Sequence, residues 1–418
     1  MPEVTGKSSL WENQVTISAH FGKDGRSEHI VLSPGIYFPG DFFCTCHPQG
    51  MQLVINIDAV TVSRALRTLD SFVSSATNST ANALRMYSED GTLRLERNDY
   101  ETIVSYDTGI SVPDVADTYI PATLTGSILR SITGVVAVDT KGSKVTFSHH
   151  RGQFTVKKLT EVDWPTPNPV ETTPLGVDST VFARALSQVA VSISTDRYRP
   201  NLSGAYVENR DGYIVLSSTD SYRMSQVTVP GAVNFTGILP GSVVHGLTGY
   251  LSGEDSLDNM AIGMSELSAQ IVAGKLSVTT RLVHATFPNL EVVLTKARNN
   301  PNQIVLPRKE TIEALRQTIL LFDKERPKVG MEIDVDEGEA FVRLTSTSAP
   351  GDAESYVHGE VKDGDPFSIQ INPAYLIAGL ERFDSEVIRF SSSGDGKGTC
   401  ALTSDSDEFM YLLMPYNS

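Results

Sequence analysis

Cysteine, tryptophan and long apolar runs are all scarce in this chain. Three cysteines and two tryptophans occur in 418 residues. Three cysteines cannot build a disulfide framework, which is typical of a protein from a reducing cytosol. No apolar run approaches the ~20 residues that cross a bilayer, and the opening segment MPEVTGKSSLWENQ lacks the charged-then-apolar layout of a signal peptide. We therefore expect a cytoplasmic protein without a membrane segment.

Basic residues are also in the minority. Lys and Arg number 34 against 50 Asp and Glu, which gives a net charge of −16 and an isoelectric point near 4.9. A chain of this charge is not expected to bind nucleic acid over its whole surface, because phosphates would be repelled. A local basic surface inside an acidic molecule is compatible with the same numbers.

The usual catalytic signatures are absent from the sequence, which has no Gly-rich phosphate loop, no Gly-x-Ser-x-Gly and no paired-histidine motif. Cys44, Cys46 and His47 form a metal-like cluster, but no second ligand pair stands at the spacing of a zinc site. His149 and His150 lie at a predicted hairpin turn, where solvated imidazoles are the simplest interpretation. The sequence therefore predicts that the protein is not an enzyme and needs no metal or cofactor.

A threefold repeat is the strongest pattern in the sequence. Each copy has a helical segment built around Ala-Leu, at Ala65-Leu66, Ala185-Leu186 and Ala314-Leu315. Each copy then has a second helix start marked by proline, at Pro121, Pro240 and Pro373. Proline suits the first turn of a helix, since its missing N–H costs nothing there. Two markers recurring in register at about 120 residues predict three copies of one folding unit.

Each copy also contains a hairpin pattern. Alternating apolar residues surround an Asp-Gly or Glu-Gly turn in the segments 84–99, 205–220 and 331–346, which is the composition of a short β-hairpin. About two helices and many strands per copy predict an α+β fold of three repeated domains, with two helices packed on antiparallel sheets in each. The predicted boundaries are 1–50 for an N-terminal extension of unknown role, then 51–170, 171–300 and 301–418, with Pro-, Asn- and Thr-rich joints at 166–174 and 295–303.

The predicted helices carry basic residues. In the first helix, an apolar stripe recurs at helical spacing through Val62, Leu66, Leu69 and Val73. Arg64 and Arg67 lie on another face, and the remaining helices add Arg130, Arg184, His245, Arg316 and Arg382. One interpretation is an ordinary solvated helix face. The other is one shared basic surface that attracts phosphate only there.

Four segments of the second and third copies stand in a recognisable order. They are STDRYRPNLSG at 194–204, STDSYRM at 218–224, FPNL at 287–290 and YLLMP at 411–415. In this order, and over three repeats, they resemble the bacterial sliding clamp, the beta subunit of the replicative DNA polymerase III holoenzyme. The resemblance runs from about residue 51 to 418, and its departures suit a divergent or phage-encoded member.

The resemblance implies a ring-shaped, head-to-tail homodimer with an inner wall of helices and an outer wall of sheets. Such a processivity factor encircles double-stranded DNA without sequence preference, slides along it and tethers the replicative DNA polymerase and other replication proteins. The clamp loader is a further implied partner, whereas no membrane, metal or cofactor is implied. The implied DNA-facing residues are Arg64, Arg67, Arg130, Arg184, Arg197, Arg199 and Arg316.

The resemblance also implies a hydrophobic pocket between domains two and three that takes short peptides from partner proteins. Aliphatic and Met side chains suit an adaptable groove, although strand core is the alternative interpretation of the same residues. The implied pocket residues are Leu202, Thr219, Tyr222, Arg223, Met224, Pro288, Val293, Leu412, Met414 and Pro415. The implied dimer interface contains Phe154, Ile319 and Leu320, for which burial inside one domain is the alternative.

Several positions depart from the family pattern. Ser221 and Tyr222 replace the usual Gly-His, so we expect a bulkier pocket rim, and Val292 stands where many clamps carry a basic residue. Residues 1–50 have no counterpart, and a start at Met51 is an alternative to an added arm. The competing class of protein is a repeat-built, β-rich structural or adhesion protein with no DNA role. Basic residues that recur on the helices argue against it.

Overall fold

A computed structural model describes most of the chain. The described residues are 16–20, 27–31, 46–47, 50–51, 54–73, 82–166, 170–174, 176–231, 233, 236–253, 260–323, 325–336, 339–405 and 407–416. The chain divides into two compact units, Met1–Asn56 and Ile57–Ser418, so the first unit ends six residues beyond the extension predicted from the sequence. Its described strands form two antiparallel pairs, Thr16–His20 with Ser27–Val31 and Cys46–His47 with Gly50–Met51. Cys44 of the metal-like cluster lies outside the described residues.

One order of elements occurs three times along the chain: strand, helix, four strands, helix, three strands. The first copy contains Val54–Asp58, α1 (Ala59–Asp70), Ala83–Glu89, Thr92–Asn98, Thr102–Ser111, Thr118–Pro121, α2 (Ala122–Ser131), Val135–Asp139, Lys144–His149 and Gly152–Lys157. The second contains Thr173–Pro174, α3 (Ser179–Ala190), Gly204–Arg210, Tyr213–Thr219, Arg223–Pro230, Gly237–Pro240, α4 (Gly241–Leu251), Ala261–Met264, Ser268–Ala273 and Leu276–Arg281.

After the second copy comes an additional helix, α5 (Glu291–Arg298). The third copy then contains Asn302–Pro307, α6 (Arg308–Thr318), Val329–Asp336, Glu339–Ser348, Gly351–Asp363, Ser368–Ile371, α7 (Pro373–Leu380), Val387–Ser392, Cys400–Ser404 and Asp407–Leu413. Two 3₁₀ turns, Pro200–Leu202 and Ile319–Leu321, complete the described elements. The predicted α+β class with three repeated units is confirmed.

Local chemistry explains where these elements begin and end. Asp90-Gly91 and Asp211-Gly212 all have positive φ, from 52° to 82°, which is the backbone of the two-residue hairpin turn that Asp-Gly favours. Asp58 caps α1 by accepting the backbone N–H of Thr61 at 2.8 Å. The apolar stripe of α1 is buried as predicted, although its last member, Val73, lies beyond the end of the helix.

Strands pair across the junctions between copies. In an eight-stranded sheet, Leu276–Arg281 of the second copy pairs antiparallel with Thr102–Ser111 of the first. In a twelve-stranded sheet, Asp407–Leu413 of the third copy pairs in the same way with Arg223–Pro230 of the second. The last strand of each of these copies therefore joins the sheet of the copy before it.

Two strands keep an edge that these pairings between copies do not cover. Gly152–Lys157, the last strand of the first copy, is the edge of a four-stranded sheet, and only Val156 in it is buried. Gly351–Asp363, the strand of the third copy that corresponds to Thr102–Ser111, pairs with Glu339–Ser348 on one side. On its other side, within the described part of the chain, only residues 360–363 meet a strand. Both edges therefore present unpaired backbone N–H and C=O groups.

The helices of the three copies form one continuous row. Within each copy the two helices pack on each other, and α1 also touches α4. The ring of Phe72, just beyond α1, packs against the backbone of Gly246 in α4, where a glycine leaves room for it. At the next junction, the Gln188 side-chain amide of α3 donates a hydrogen bond of 3.2 Å to the carbonyl of Arg382, just beyond α7. The order of helices in the row is α2, α1, α4, α3, α7, α6.

Helix α5 corrects one prediction. The segment 295–303 was expected to be a linker, but α5 runs to Arg298 and a strand begins at Asn302. Leu294 and Ala297 of α5 are buried in a cluster with Met224 and Leu412. Burial of these two side chains stabilises a helix that the Asn- and Pro-rich composition does not predict.

Two glycines of α4 give opposite predictions for the same substitution. A Cβ on Gly246 would lie 2.7 Å from the fully buried ring of Phe72, whereas a Cβ on Gly249 would meet nothing within 4 Å. We expect Gly246→Ala to lower the free energy of unfolding by about 1–3 kcal/mol through overpacking. Gly249→Ala should raise it by about 0.5–1 kcal/mol, because alanine is the better helix former. Urea unfolding of both variants measures the difference, and equal effects would contradict the packing of α1 on α4.

Candidate functional site

A cavity of about 470 Å³, here called the first cavity, lies at the junction of the second and third copies. Its walls come from the paired strands Arg223–Pro230 and Asp407–Leu413, the 3₁₀ turn Pro200–Leu202 and the segment 288–293. Nine of the ten predicted pocket residues line it: Leu202, Thr219, Tyr222, Arg223, Met224, Pro288, Val293, Leu412 and Met414. Pro415 is buried and does not line the cavity.

The cavity has a buried apolar floor and a more exposed rim. Leu202, Met224 and Leu412 are each at most 5% exposed, so these side chains belong to the strand core and also form the floor of the cavity. Met414 and Tyr222 are 41% and 62% exposed and stand at the rim. Both interpretations made from the sequence, strand core and pocket wall, therefore describe the same side chains.

The turn between the strands Tyr213–Thr219 and Arg223–Pro230 is held by its own side chains. The Asp220 carboxylate accepts hydrogen bonds of 2.9 Å from the backbone N–H groups of Tyr222 and Arg223, and a third of 2.9 Å from Nε of Arg223. Ser221 has a φ of 79°, a left-handed conformation that favours the glycine usual in the family. Ser221 and Tyr222, which replace the usual Gly-His of the family, both line the cavity.

Arg223 is fixed beneath this turn by aromatic side chains. Its guanidinium lies 4.4 Å from the centre of the Tyr375 ring, a favourable cation–π distance. Burial lowers the pKa of this guanidinium, but the neighbouring Tyr411 and Asp220 outweigh burial and raise the pKa above its usual value. Arg223 is therefore a permanent, immobilised cation in the wall of the cavity.

Arg199 lies at the rim of the first cavity, although the resemblance assigned it to the DNA-facing set. Its Nη1 donates a hydrogen bond of 2.9 Å to Ser221 Oγ, and its Nε lies 3.6 Å from the Asp196 carboxylate. Sequence reasoning also missed Asn201, Asn289, Leu290, Thr399 and Leu413 as lining residues. Asn201, Asn289 and Leu413 adjoin predicted residues and were recoverable from that, and Leu290 lies two positions from Pro288. Thr399 comes from a distant loop and carries no local signal.

The helix row concentrates positive charge. Its six helices contain seven Lys and Arg against three Asp and Glu, whereas the whole chain has 34 against 50. Arg64, Arg67 and Arg130 are exposed. Arg184 pairs with Asp384 at 2.9 Å and Arg316 with Glu381 at 2.7 Å, so these two arginines are partly neutralised.

Three further basic residues that the sequence analysis singled out do not add an arginine to a helix of the row. Arg197 is exposed in the loop before the 3₁₀ turn Pro200–Leu202, and Arg382 lies beyond the end of α7. Partial desolvation lowers the pKa of His245, an exposed residue of α4, so this imidazole adds little positive charge to the row at pH 7. The positive charge is therefore carried mainly by α1, α2, α3 and α6.

The three predicted dimer residues lie next to the two leftover strand edges. Phe154, 38% exposed, is on the edge strand Gly152–Lys157 and stacks on His149 with ring centres 5.7 Å apart. Ile319 is half-buried and Leu320 is 80% exposed in the 3₁₀ turn that follows α6. That turn adjoins the other edge, since Leu321 Cδ1 lies 3.8 Å from the position of a Cβ on Gly351.

Among the described residues, no group of three or more His, Cys, Asp and Glu side chains is arranged to hold a metal ion. In the described part of the chain, no helix is long and apolar enough to cross a membrane.

Comparison with known proteins identifies the relationship. Residues 176–289 match the family model described as DNA polymerase III beta subunit, central domain. The beta sliding clamp of Streptomyces coelicolor is 24% identical over 351 residues, which cover 79% of this chain and 90% of that protein. The chain is similar to the bacterial beta sliding clamps over most of its length.

Further matches agree with this relationship. The beta sliding clamp homolog GriR of Streptomyces muensis is 26% identical over 340 residues, covering 78% of this chain and 89% of that protein. A crystal structure of the sliding clamp of Bartonella birtlesii bound to griselimycin superposes with a TM-score of 0.78 at 20% identity, covering 88% of this chain and all of that one. The sliding-clamp fold inferred from the sequence is confirmed, and the clamp is favoured over the structural or adhesion protein.

Proposed function

We propose that this clamp is a DNA polymerase processivity factor that encircles duplex DNA as a homodimer and makes or breaks no bond. The observation that carries the proposal is the continuous helix row, which is basic in a chain of net charge −16. A ring lined by such helices attracts the phosphates of both strands without reading sequence, because phosphate contacts carry no sequence information. We place the protein in the cytoplasm, with the replicative polymerase and the clamp loader as partners.

The pairing rule of the three copies supports a head-to-tail dimer. The last strand of a copy joins the sheet of the copy before it, so the first copy needs a sheet from another chain. In the dimer, Gly152–Lys157 of one protomer pairs with Gly351–Asp363 of the second, which satisfies both exposed edges. Lys157 and Lys158 then face an edge that carries Asp352 and Glu354. Phe154 meets Ile319 and Leu320 at the same contact.

The domain and site assignments follow from this arrangement. We retain 51–170, 171–300 and 301–418 as the three domains, with the six helices of the row in each protomer and twelve lining the ring. Arg64, Arg67, Arg130, Arg184, Arg197 and Arg316 serve the DNA side, and Arg199 serves the first cavity. The first cavity takes a short apolar peptide of a partner protein, since it combines an aliphatic floor with a flexible Met414 at its rim.

Met414→Glu should abolish binding of partner peptides. The new carboxylate would stand at the rim of the apolar floor and lose part of its hydration whenever a peptide covers it. The measurement is polymerase processivity on primed circular DNA together with a peptide-binding titration. Leu267→Glu, at a residue 65% exposed outside the first cavity, controls for the added charge. If Met414→Glu bound peptides as tightly as the wild type, partner peptides would have to bind at another site.

Changing Arg64, Arg67 and Arg184 together to Glu should impair loading and sliding while leaving the dimer intact. The triple variant removes three phosphate contacts and adds three repulsive charges, so DNA association should fall by at least tenfold at moderate salt. Sedimentation confirms the dimer, and primer extension measures processivity. The matched control changes Lys275, Arg281 and Arg389, which lie on strands and turns, to Glu. Equal losses in both triple variants would contradict a DNA-facing helix row.

A further inference from the structure

A second cavity of about 340 Å³ adjoins the first one. Its walls are the sheet of the second copy, which contributes Tyr206 and Gln226 among others, and the segment from Phe287 to Leu294. Pro288, Asn289 and Leu290 line both cavities. This three-residue segment is therefore a wall that both cavities share, and a peptide seated in the first cavity would enter the second by crossing Pro288–Leu290.

The two cavities differ in charge. The charged residues that line the first cavity are Arg199 and Arg223, both cations. Those that line the second are Glu208, Arg210 and Glu291, and Arg210 donates to both carboxylates, to Glu208 at 2.5 Å and to Glu291 at 2.8 Å. One guanidinium between two carboxylates leaves the second cavity with a net negative charge. From the first cavity to the second, the charge of the lining thus changes from positive to negative.

The second cavity also has a polar floor and an aromatic wall. Ser217 and Gln226 are 3% and 8% exposed, and the Gln226 side-chain amide donates to Ser217 Oγ at 3.2 Å. An amide carries two N–H donors, and this bond uses one of them. The stacked rings of Tyr206 and Phe287, 4.9 Å apart, present a π-face that favours a cation.

We propose that the partner peptide of this clamp is longer than the first cavity and continues over Pro288–Leu290 into the second cavity. The continuation carries a Lys or Arg side chain, which lies near Glu208 and Glu291 and against Tyr206. The peptide therefore has a direction: an apolar segment for the first cavity, followed on one side by a basic residue. This inference rests on the proposed function, because it requires that the first cavity binds a peptide.

A random library of twelve-residue peptides displayed on phage tests the proposal. Peptides are selected on the wild-type clamp and counter-selected on Met414→Glu, so that only binders of the first cavity remain. We expect apolar residues with a basic residue enriched on one side of them. Replacing that basic residue by glutamine in a selected peptide should weaken binding to the wild type by about threefold to fivefold, as expected for a partly exposed ion pair.

Glu291→Lys and Glu101→Lys form the matched pair of variants. Both make the same charge change at exposed, ion-paired carboxylates, but Glu101 pairs with Arg281 and does not line the second cavity. The basic enrichment should disappear on Glu291→Lys and persist on Glu101→Lys. Apolar binders without a basic flank, or the same flank selected on Glu291→Lys, would overturn the extension while leaving the proposed function intact. A library without Met414-dependent binders would overturn both.

Discussion

Antiparallel strand pairing across the junctions between copies is the interaction on which the rest of this structure depends. Because the last strand of the second and of the third copy completes the sheet of its predecessor, each junction is fixed by a ladder of backbone hydrogen bonds rather than by side chains alone. The helices pack on these sheets, so the strand pairing also arranges the helices in a single row. The first cavity forms where Arg223–Pro230 and Asp407–Leu413 meet, so the junction and the cavity have one origin.

The charge of the chain is organised by the same geometry. A net charge of −16 would oppose DNA binding if it were spread evenly. The helix row reverses the balance locally, because its six helices carry seven Lys and Arg against three Asp and Glu. An acidic remainder then discourages DNA from contacts elsewhere. Net charge alone predicts the wrong partner, whereas the position of the charges on the fold predicts the right one.

Much of the fold could be predicted because its signals are local. Asp90-Gly91 and Asp211-Gly212 specify hairpin turns through their own backbone preferences, and the stripe from Val62 to Leu69 specifies the buried face of α1. Helix α5 could not be predicted, since Leu294 and Ala297 are helical only because distant strands bury them. Local propensity gives no sign of such a tertiary contact.

The candidate site was likewise predictable only where its residues belong to local sequence motifs. The residues that resemble family motifs, such as Thr219 and Met224, lie together around the first cavity. Thr399 reaches it from another loop and donates to Met414 Sδ at 3.2 Å, a contact across the fold that no motif contains. The pairing of Arg184 with Asp384 is likewise invisible in the sequence, because 200 positions separate the partners. Sequence patterns predict which segments matter, and the fold determines which side chains meet.

The central claim is that the two leftover strand edges close a ring around DNA, and retention on circular against linear DNA tests it most directly. The clamp is loaded onto nicked circular DNA with a clamp loader, separated from free protein by gel filtration, and the DNA is then cut once. A topologically linked ring should remain on the circle and slide off after the cut. Equal retention on circular and linear DNA would contradict the account, because it would show that the protein is held by contacts rather than by closure.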